Sequence, residues 1–310
     1  MSVKIGILYS RVRTDEKMLL TELRERGHEV EKIDVRDAQF AIDEAGSVFA
    51  DLDLVVDRCL ATSRSVYATQ FCAAYGVPIV NAAETATICA DKVKTSLALE
   101  AAGVPTPATT VAFTEESALD AVEAFGYPCV LKPVVGSWGR LMAKIDSRNA
   151  AEAIFEHKAT LGHYEHKVFY VQEFVEKPGR DIRVVAADGE PIAAMTRSSD
   201  HWLTNAAKGA ETDAFDVGEE VAELVAAASD AVGGGLLGID LMETGSPHDA
   251  ETASGDDSPA SYTVHEVNHT AEFTALDEAV DVDVPAAVVD WLELKAEAAD
   301  AADAHLEVTV

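Results

Sequence analysis

The sequence predicts an α/β fold whose amino-terminal part is a parallel β-sheet of Rossmann-like type. Over residues 1–90, short β-branched runs alternate with segments of helical period, and this strand–helix–strand order is typical of parallel sheets. The first run, Val3–Leu8, is largely apolar, and the helix predicted over Asp15–Arg26 ends at Gly27. No GxGxxG motif follows the first strand, so the sequence does not favour a nicotinamide oxidoreductase.

The same alternation continues through the amino-terminal part. Three further strands and a helix are predicted there, over His28–Val35, Leu52–Val56, Pro78–Val80 and Ser65–Tyr75. A strong amphipathic helix then begins at Asp91, because Val93, Leu97 and Ala101 recur at the spacing of one helical face, and it ends before Gly103.

Beyond this helix the pattern predicts more strands and fewer helices. Strands are predicted over Tyr127–Lys132, Met142–Ile145, Val168–Phe174, Leu236–Met242 and Tyr262–Val267. Helices are predicted over Glu116–Phe125, Ala150–Ala159, Glu219–Val232 and Ala286–His305. Asp188-Gly189 predicts a type I′ turn between two strands. Residues 245–261 are rich in Ser, Gly, Pro and Asp and predict an exposed insertion loop.

The charge excludes several classes of partner. The chain has 310 residues with 24 Lys or Arg and 55 Asp or Glu, a net charge of −31. Nucleic acids and anionic membranes need a basic face, so we expect neither as a partner. No run reaches the ~20 apolar residues of a membrane span, and the amino terminus has no secretory pattern, so we expect a cytoplasmic protein.

The acidic residues are spread along the whole chain. A halophilic source fits this composition, because at 1 M salt self-repulsion is screened over only ~3 Å; an acidic mesophilic protein is the alternative. The four cysteines have no CxxC spacing, which argues against a zinc site and a disulfide scaffold.

Three oxygen-bearing residues predict a cation site. Glu266 and Asn268 are two positions apart on a strand and therefore share a face, and Asp240 lies on the preceding strand. Such a set suits Mg²⁺, although a polar, solvent-facing strand is the alternative. By the same alternation, His265 is expected to face the opposite side of the sheet from Glu266.

Basic residues near strand ends predict an anion site. Lys92 begins a helix, and Lys132 ends an apolar strand just before the turn Gly136-Ser137-Trp138-Gly139. A lysine at that position needs an anionic partner or a route to water, and a glycine turn can hold phosphate with its backbone N–H groups. Arg180, Arg183 and Arg197 follow in the next hairpin. Snorkelling lysines and surface ion pairs remain alternatives.

Six motifs in order resemble the ATP-grasp superfamily: DKVKTS at Asp91–Ser96, LKP at Lys132, GSWGRL at Gly136–Leu141, QEFVEKPGRDIRV at Gln172–Val184, GID at Gly238–Asp240 and EVNHTAEF at Glu266–Phe273. Within it, the chain is similar to the ligases of lysine and arginine biosynthesis, which join α-aminoadipate or glutamate to the carboxyl-terminal glutamate of a small amino-group carrier protein. The resemblance implies an ATP-grasp fold with a Rossmann-like pre-ATP-grasp domain over 1–90, an ATP-grasp domain over 91–285 with a lid at about 105–175, and a carboxyl-terminal helix over 286–310.

The resemblance also implies a role for individual residues. The ATP phosphates would contact Lys92 and Lys132, under a loop of Gly136, Ser137, Trp138, Gly139, Arg140 and Leu141. The adenine and ribose would be lined by Gln172, Glu173, Phe174 and Val175, with Asp181 also reaching the nucleotide. Acyl-phosphate charge would be stabilised by the catalytic Arg183 and Arg197, with Asn205 beside them. Mg²⁺, or alternatively Mn²⁺, would be held by Asp240, Glu266 and Asn268. The amino acid would be positioned by Glu272, Phe273, Thr274, Ala275 and Leu276.

These implications agree with the chemistry of amide formation. A carboxylate and an amine do not condense in water, so ATP must first convert the carboxylate to an acyl phosphate, and fixed cations must offset the negative charge that accumulates. An acidic carrier protein and a dimer or tetramer are implied as partner and assembly. The alternatives are a ligase that adds glutamate to another protein or peptide, and a nucleotide-binding regulator without turnover. Glutamate and α-aminoadipate differ by one methylene, worth only ~1–3 kcal/mol.

Overall fold

The computed structural model describes residues 2–42, 48–49, 51–136, 140–160, 167–204, 210–244 and 262–307, with the backbone alone over 302–307. The insertion predicted over 245–261 lies outside these residues. Within the described ranges, no helix has both the length and the apolar character needed to cross a membrane.

A parallel sheet forms the amino-terminal part, as the sequence predicts. Its strands are β1 (Lys4–Tyr9), β2 (Glu29–Asp34), β3 (Leu54–Arg58) and β4 (Ile79–Val80), in the order β2-β1-β3-β4. Its helices are α1 (Thr14–Glu25), α2 (Thr62–Tyr75) and α3 (Ala83–Cys89). Strand β3 ends two residues later than predicted, because Asp57 and Arg58 are buried with hydrogen-bond partners.

The second sheet is antiparallel and follows helix α4 (Lys92–Ala101). Its strands are β5 (Thr109–Ala112), β6 (Cys129–Lys132), β7 (Ala143–Ile145) and β8 (Phe169–Glu173), in the order β5-β8-β6-β7. Helices α5 (Glu115–Phe125) and α6 (Arg148–Thr160) pack against it. The edge-on contact of Phe155 with Phe169, at 5.1 Å between ring centroids, lies in the core of this unit.

The third sheet is also antiparallel, and the remaining helices pack on it. Its strands are β9 (Arg180–Ala187), β10 (Glu190–Ser198), β11 (Glu211–Ala214), β12 (Leu236–Glu243) and β13 (Tyr262–Asn268), in the order β11-β10-β9-β12-β13. Helix α7 (Glu219–Val232) covers one face with α4, and α8 (Thr274–Ala279) and α9 (Val284–Glu307) complete the chain. A single apolar core joins α1 and α9 to both this sheet and the parallel sheet.

The sequence did not predict α3, β5, β11 or α8. Helices α3 and α8 have Ala82 and Phe273 at their N-cap positions, which make no side-chain cap, so the usual signal for a helix start is absent. Strand β11 is short and mostly exposed, so its sequence shows no apolar periodicity.

Asn81 connects the parallel sheet to the third sheet. Its side chain accepts the N–H of Leu236 at 2.6 Å and donates to the carbonyls of Leu236 and His269 at 2.9 and 2.6 Å. This buried amide therefore satisfies backbone groups at the start of β12 and just after β13. Gly235 leaves room for it, because a Cβ at Gly235 would lie 2.1 Å from Asn81 Oδ1.

We predict that Gly235→Ala lowers the free energy of unfolding by about 2–4 kcal/mol, because it combines a positive φ of 108° with displacement of Asn81. Denaturant titration measures the change. Gly27→Ala is the matched control, since Gly27 also has a positive φ (83°) but no atom within 4 Å of the added Cβ, and it should cost only about 1 kcal/mol. Equal losses in both variants would contradict the role given to Asn81.

Candidate active site

A cavity of about 450 Å³ is lined by residues of the two antiparallel sheets and by helix and loop residues next to the parallel sheet. Sixteen of the residues that the sequence predicts for the site line it: Lys92, Lys132, Gly136, Gln172, Glu173, Phe174, Val175, Asp181, Arg183, Arg197, Asp240, Glu266, Asn268, Glu272, Thr274 and Ala275. Helices α1, α2 and α8 contribute further lining residues. The cavity therefore brings together positions that are far apart in the chain.

A buried ion-pair network lies on the third sheet. Arg183 donates to both oxygens of Asp240, at 2.5 and 2.7 Å, and Arg197 donates to Asp240 Oδ1 at 2.8 Å. Arg197 also donates to Asp181 at 2.7 Å. Burial alone would raise the pKa of Asp240, but the charges of Arg183 and Arg197 outweigh it and hold that pKa well below its ordinary value. Asp240 is therefore a carboxylate at neutral pH.

Lys177 extends this network, although the sequence analysis gave it no role. Its Nζ donates to Thr204 Oγ1 at 2.5 Å and lies 3.5 Å from Asp181 Oδ2, and Thr204 donates to the same carboxylate oxygen. Burial lowers the pKa of Lys177. The motif that contains Lys177 was recognised, but the sequence carries no signal that its side chain turns inward.

The two predicted lysines lie near Glu266. Asp91 caps helix α4 by accepting the N–H of Val93 at 2.9 Å, which places Lys92 in the first turn. Lys92 Nζ donates to Glu266 Oε1 at 2.5 Å and to the carbonyl of Gly136 at 3.1 Å. Lys132 is buried at the end of β6, and burial lowers its pKa to about 7. A bound anion would restore its positive charge.

His265 lines the same cavity as Glu266, so the expectation that it faces away was wrong. Strand β13 has a bulge here: Asp240 is opposite Glu266, but the next pair is Leu241 with Val264. His265 is the extra residue, which breaks the alternation of faces. Its Nδ1 lies 3.3 Å from Lys132 Nζ, and burial lowers its pKa to about 3.

The residues predicted to bind a cation lie together on β12 and β13. Asp240 is opposite Glu266 in the ladder, and Asn268 is opposite Gly238. Asn268 Nδ2 lies 3.5 Å from Asp240 Oδ2, and the ligand atoms of Asp240, His265 and Glu266 all lie within 4.8 Å of one another. Two carboxylates and an amide are ligands that suit Mg²⁺. The donor set therefore fits the metal that the resemblance implies.

The residues predicted to line the nucleotide cleft are on or next to β8. Gln172 is buried and donates to Thr109 Oγ1 at 2.8 Å and to Tyr170 Oη at 3.1 Å. The rings of Phe174 and Trp202 are 6.5 Å apart, and Lys144 Nζ lies 4.5 Å from the Phe174 centroid. The sequence analysis gave no role to Trp202, which also lines the cavity.

Some predicted site residues do not line the cavity. Phe273 and Leu276 are buried in the core that joins the sheets, and Leu141 is 70% exposed. Arg140 is exposed and does not line the cavity either. The others lie outside the described residues: Ser137, Trp138, Gly139 and Asn205.

A polar network on one antiparallel sheet, close to Lys132 of a second sheet and Lys92 of α4, is typical of the ATP-grasp class of enzymes. Models of two domains match the chain: the LysX preATP-grasp domain over residues 5–88 and the RimK-like ATP-grasp domain over residues 89–292. The chain belongs to the RimK-like ATP-grasp family and is an ATP-grasp ligase.

Similar proteins extend over most of the chain. The α-aminoadipate–LysW ligase LysX of Saccharolobus solfataricus is 33% identical, covering 84% of this chain and 90% of that protein. The glutamate–LysW ligase ArgX of Sulfolobus acidocaldarius is 28% identical, covering 94% and 98%. A RimK-domain ATP-grasp protein from Sphaerobacter thermophilus has a TM-score of 0.74 at 26% identity, covering 93% and 98%.

We predict that Asp240→Ala destabilises the protein by about 3–5 kcal/mol, because it leaves Arg183 and Arg197 buried without their shared carboxylate. Denaturant titration measures this loss. Asp146→Ala is the matched control: Asp146 is exposed and 3.7 Å from Lys144, so its removal should change stability by at most about 1 kcal/mol. Similar values for the two variants would show that the network does not stabilise the fold.

Proposed function

We propose that this protein activates the carboxyl-terminal glutamate of a LysW-type carrier protein as an acyl phosphate, with ATP, and couples it to the α-amino group of glutamate or α-aminoadipate. The products are the amide, ADP and phosphate. The reaction would belong to arginine or lysine biosynthesis. The similarity to LysX and ArgX over most of the chain supports this assignment.

In a strongly acidic chain, the observation that carries the proposal is a cluster of basic side chains in one part of the cavity. Five basic side chains line it: Lys92, Lys132, Lys177, Arg183 and Arg197. Three carboxylates, those of Asp181, Asp240 and Glu266, lie among them, so the cluster has a positive excess while the chain has a net charge of −31. Such a cluster suits a polyphosphate and an acyl phosphate.

In the proposed mechanism, Lys92 and Lys132 bind the ATP phosphates. Lys92 exchanges its contact with Glu266 for phosphate oxygens, which leaves Glu266 available with Asp240 and Asn268 for Mg²⁺. When bound, the metal neutralises phosphate charge during transfer. Arg183 and Arg197, fixed by Asp240, stabilise the negative charge on the acyl phosphate and on the tetrahedral intermediate.

The lid over residues 105–175 would exclude water from the acyl phosphate. Its strand β6 carries Lys132, so closure of the lid and binding of phosphate are linked. Asp15, Glu272 and Glu278, from α1, the residues just before α8 and α8 itself, also line the cavity. Their carboxylates favour an ammonium group, which suits the amino substrate.

The decisive experiment measures ADP release with Mg-ATP and a LysW-type carrier protein, comparing glutamate with α-aminoadipate. We expect release to require the carrier and at least one of the two amino acids, and to fall at least a hundredfold in Lys132→Met. Lys94→Met, which changes an exposed lysine on α4, is the control and should retain activity.

The outcomes separate the proposal from its alternatives. Carrier-dependent turnover with one amino acid supports the ligase and identifies the pathway. ATP hydrolysis or ligation that needs a different acceptor overturns the choice of carrier. ATP binding without turnover under any of these conditions would indicate a regulator.

The lowered pKa of Lys132 predicts proton uptake when ATP binds. At pH 8, a lysine of pKa about 7 is mostly neutral, and phosphate oxygens favour its charged form. Binding should therefore take up close to one proton at pH 8, and the affinity for ATP should fall as pH rises above 7. Calorimetry in buffers of different ionisation enthalpy measures the uptake. Lys132→Met should abolish it and Lys94→Met should not; equal uptake in both variants would contradict the assignment.

A further inference from the structure

We infer that His269 Nδ1 accepts a hydrogen bond from the amino group of the incoming substrate, and that Asp57 and Ser65 hold the imidazole in the tautomer that allows this. The inference rests on the proposed ligase function and assigns to it the group that orients the nucleophile. Asp57 is the last residue but one of β3, Ser65 lies in the first turn of α2, and His269 follows β13. Two sheets thus contribute to one hydrogen-bonded chain.

The hydrogen bonds that Asp57 accepts determine which atoms donate and which accept between Asp57, Ser65 and His269. Asp57 Oδ1 accepts the N–H of Cys59 at 2.9 Å, and Asp57 Oδ2 accepts the hydroxyl proton of Ser65. A serine hydroxyl has only one proton. The contact of 3.0 Å between Ser65 Oγ and His269 Nε2 therefore needs the imidazole as its donor. The proton of the neutral ring is on Nε2, so Nδ1 has a free lone pair.

The free nitrogen is open to the cavity. Within the described part of the chain, no group bonds to His269 Nδ1, and the buried side-chain atoms without a partner are others: Arg58 Nη2, Thr85 Oγ1 and Ser229 Oγ. His269 itself lines the cavity although the residue is only 9% exposed. A buried imidazole with an unbonded acceptor at a cavity wall is suited to an N–H donor.

The charged groups near His269 favour an amine, rather than an anion, as the group that binds to its Nδ1. Asp15 and Glu272 line the same cavity, and Asp15 accepts the backbone N–H groups of Phe273 and Thr274, a few residues beyond His269, at 2.7 and 3.0 Å. The nearby Arg13 is already paired with Glu16 and Glu272. His269 also follows Asn268 directly, so an amine bonded to it lies next to the proposed metal site, where the acyl phosphate forms.

Three substitutions of His269 separate a contact with substrate from a structural role. In His269→Asn, the side-chain oxygen is bonded to Cγ as Nδ1 is, so an acceptor can remain at that position. In His269→Gln, the amide can replace Nε2 and keep the contact with Ser65, but the acceptor at Nδ1 is lost. His269→Leu removes both contacts. His157→Gln, an exposed position on α6, is the control.

We expect His269→Gln and His269→Leu to raise KM for the amino acid about 10- to 100-fold, the effect of losing one hydrogen bond to a charged group. His269→Asn should stay within about threefold of the wild type, and KM for ATP should not change.

Hydroxylamine is small and needs no positioning, so carrier-dependent hydroxamate formation without amino acid should be equal in all variants. That partial reaction reports acyl-phosphate formation alone.

Three results would overturn the inference, and one of them concerns the proposed function itself. If KM for the amino acid stays normal in His269→Gln but rises in His269→Asn, then His269 serves only to hold Ser65. A loss of hydroxamate formation equal to the loss of ligation would mean that His269 acts before the amine enters. A wild-type protein that forms neither amide nor hydroxamate would overturn the proposed ligase, and the inference with it.

Discussion

The carboxylate of Asp240 holds two guanidinium groups inside the protein, and the polar half of the cavity depends on this contact. Arg183 is opposite Asp240 on the neighbouring strand β9, and Arg197 reaches Asp240 from β10, one strand further away, so side-chain ion pairs reinforce the backbone ladder of three adjacent strands. A buried guanidinium without such a partner would carry a desolvation cost of several kcal/mol. Arg197 also fixes Asp181, and through it the network includes Lys177.

The network can hold anions because its cations are only partly neutralised. Each arginine uses some donors on Asp240 and keeps others, since a guanidinium has five N–H groups. Lys132 has no carboxylate within salt-bridge distance among the described residues, and its lowered pKa records the cost of burying a cation without one. A phosphate ligand would remove this cost. Binding energy is therefore available at the end of the cavity where phosphoryl transfer is proposed.

Local signals in the sequence were enough to predict most of the helices and strands, but not the side-chain contacts inside the cavity. Asp188 and Gly189 have positive φ values of 48° and 86°, as the type I′ turn requires, and Asp91 caps α4 as its position indicated. The sheet face of His265 was predicted wrongly because a β-bulge cannot be recognised from a single sequence. The sequence did not predict a role for Lys177 because its side chain is held in the cavity by Thr204 and Asp181. These two residues lie on other segments, and their proximity depends on the fold.

The cavity is lined by a basic cluster and by a separate set of carboxylates, and this difference in charge bears on the choice of amino substrate. In the proposed reaction, the basic cluster, which comes from the two antiparallel sheets, α4 and the loop before β9, serves the activation step. The carboxylates include those of Asp15 on α1 and Glu278 on α8, and His269 lines the same cavity, so in the proposed reaction the junction with the parallel sheet holds the amine. If His269 fixes the amino group, the distance from Nδ1 to the group that receives the side-chain carboxylate decides between glutamate and α-aminoadipate. A misplaced carboxylate loses a charge-assisted hydrogen bond, which costs more than a missing methylene contact.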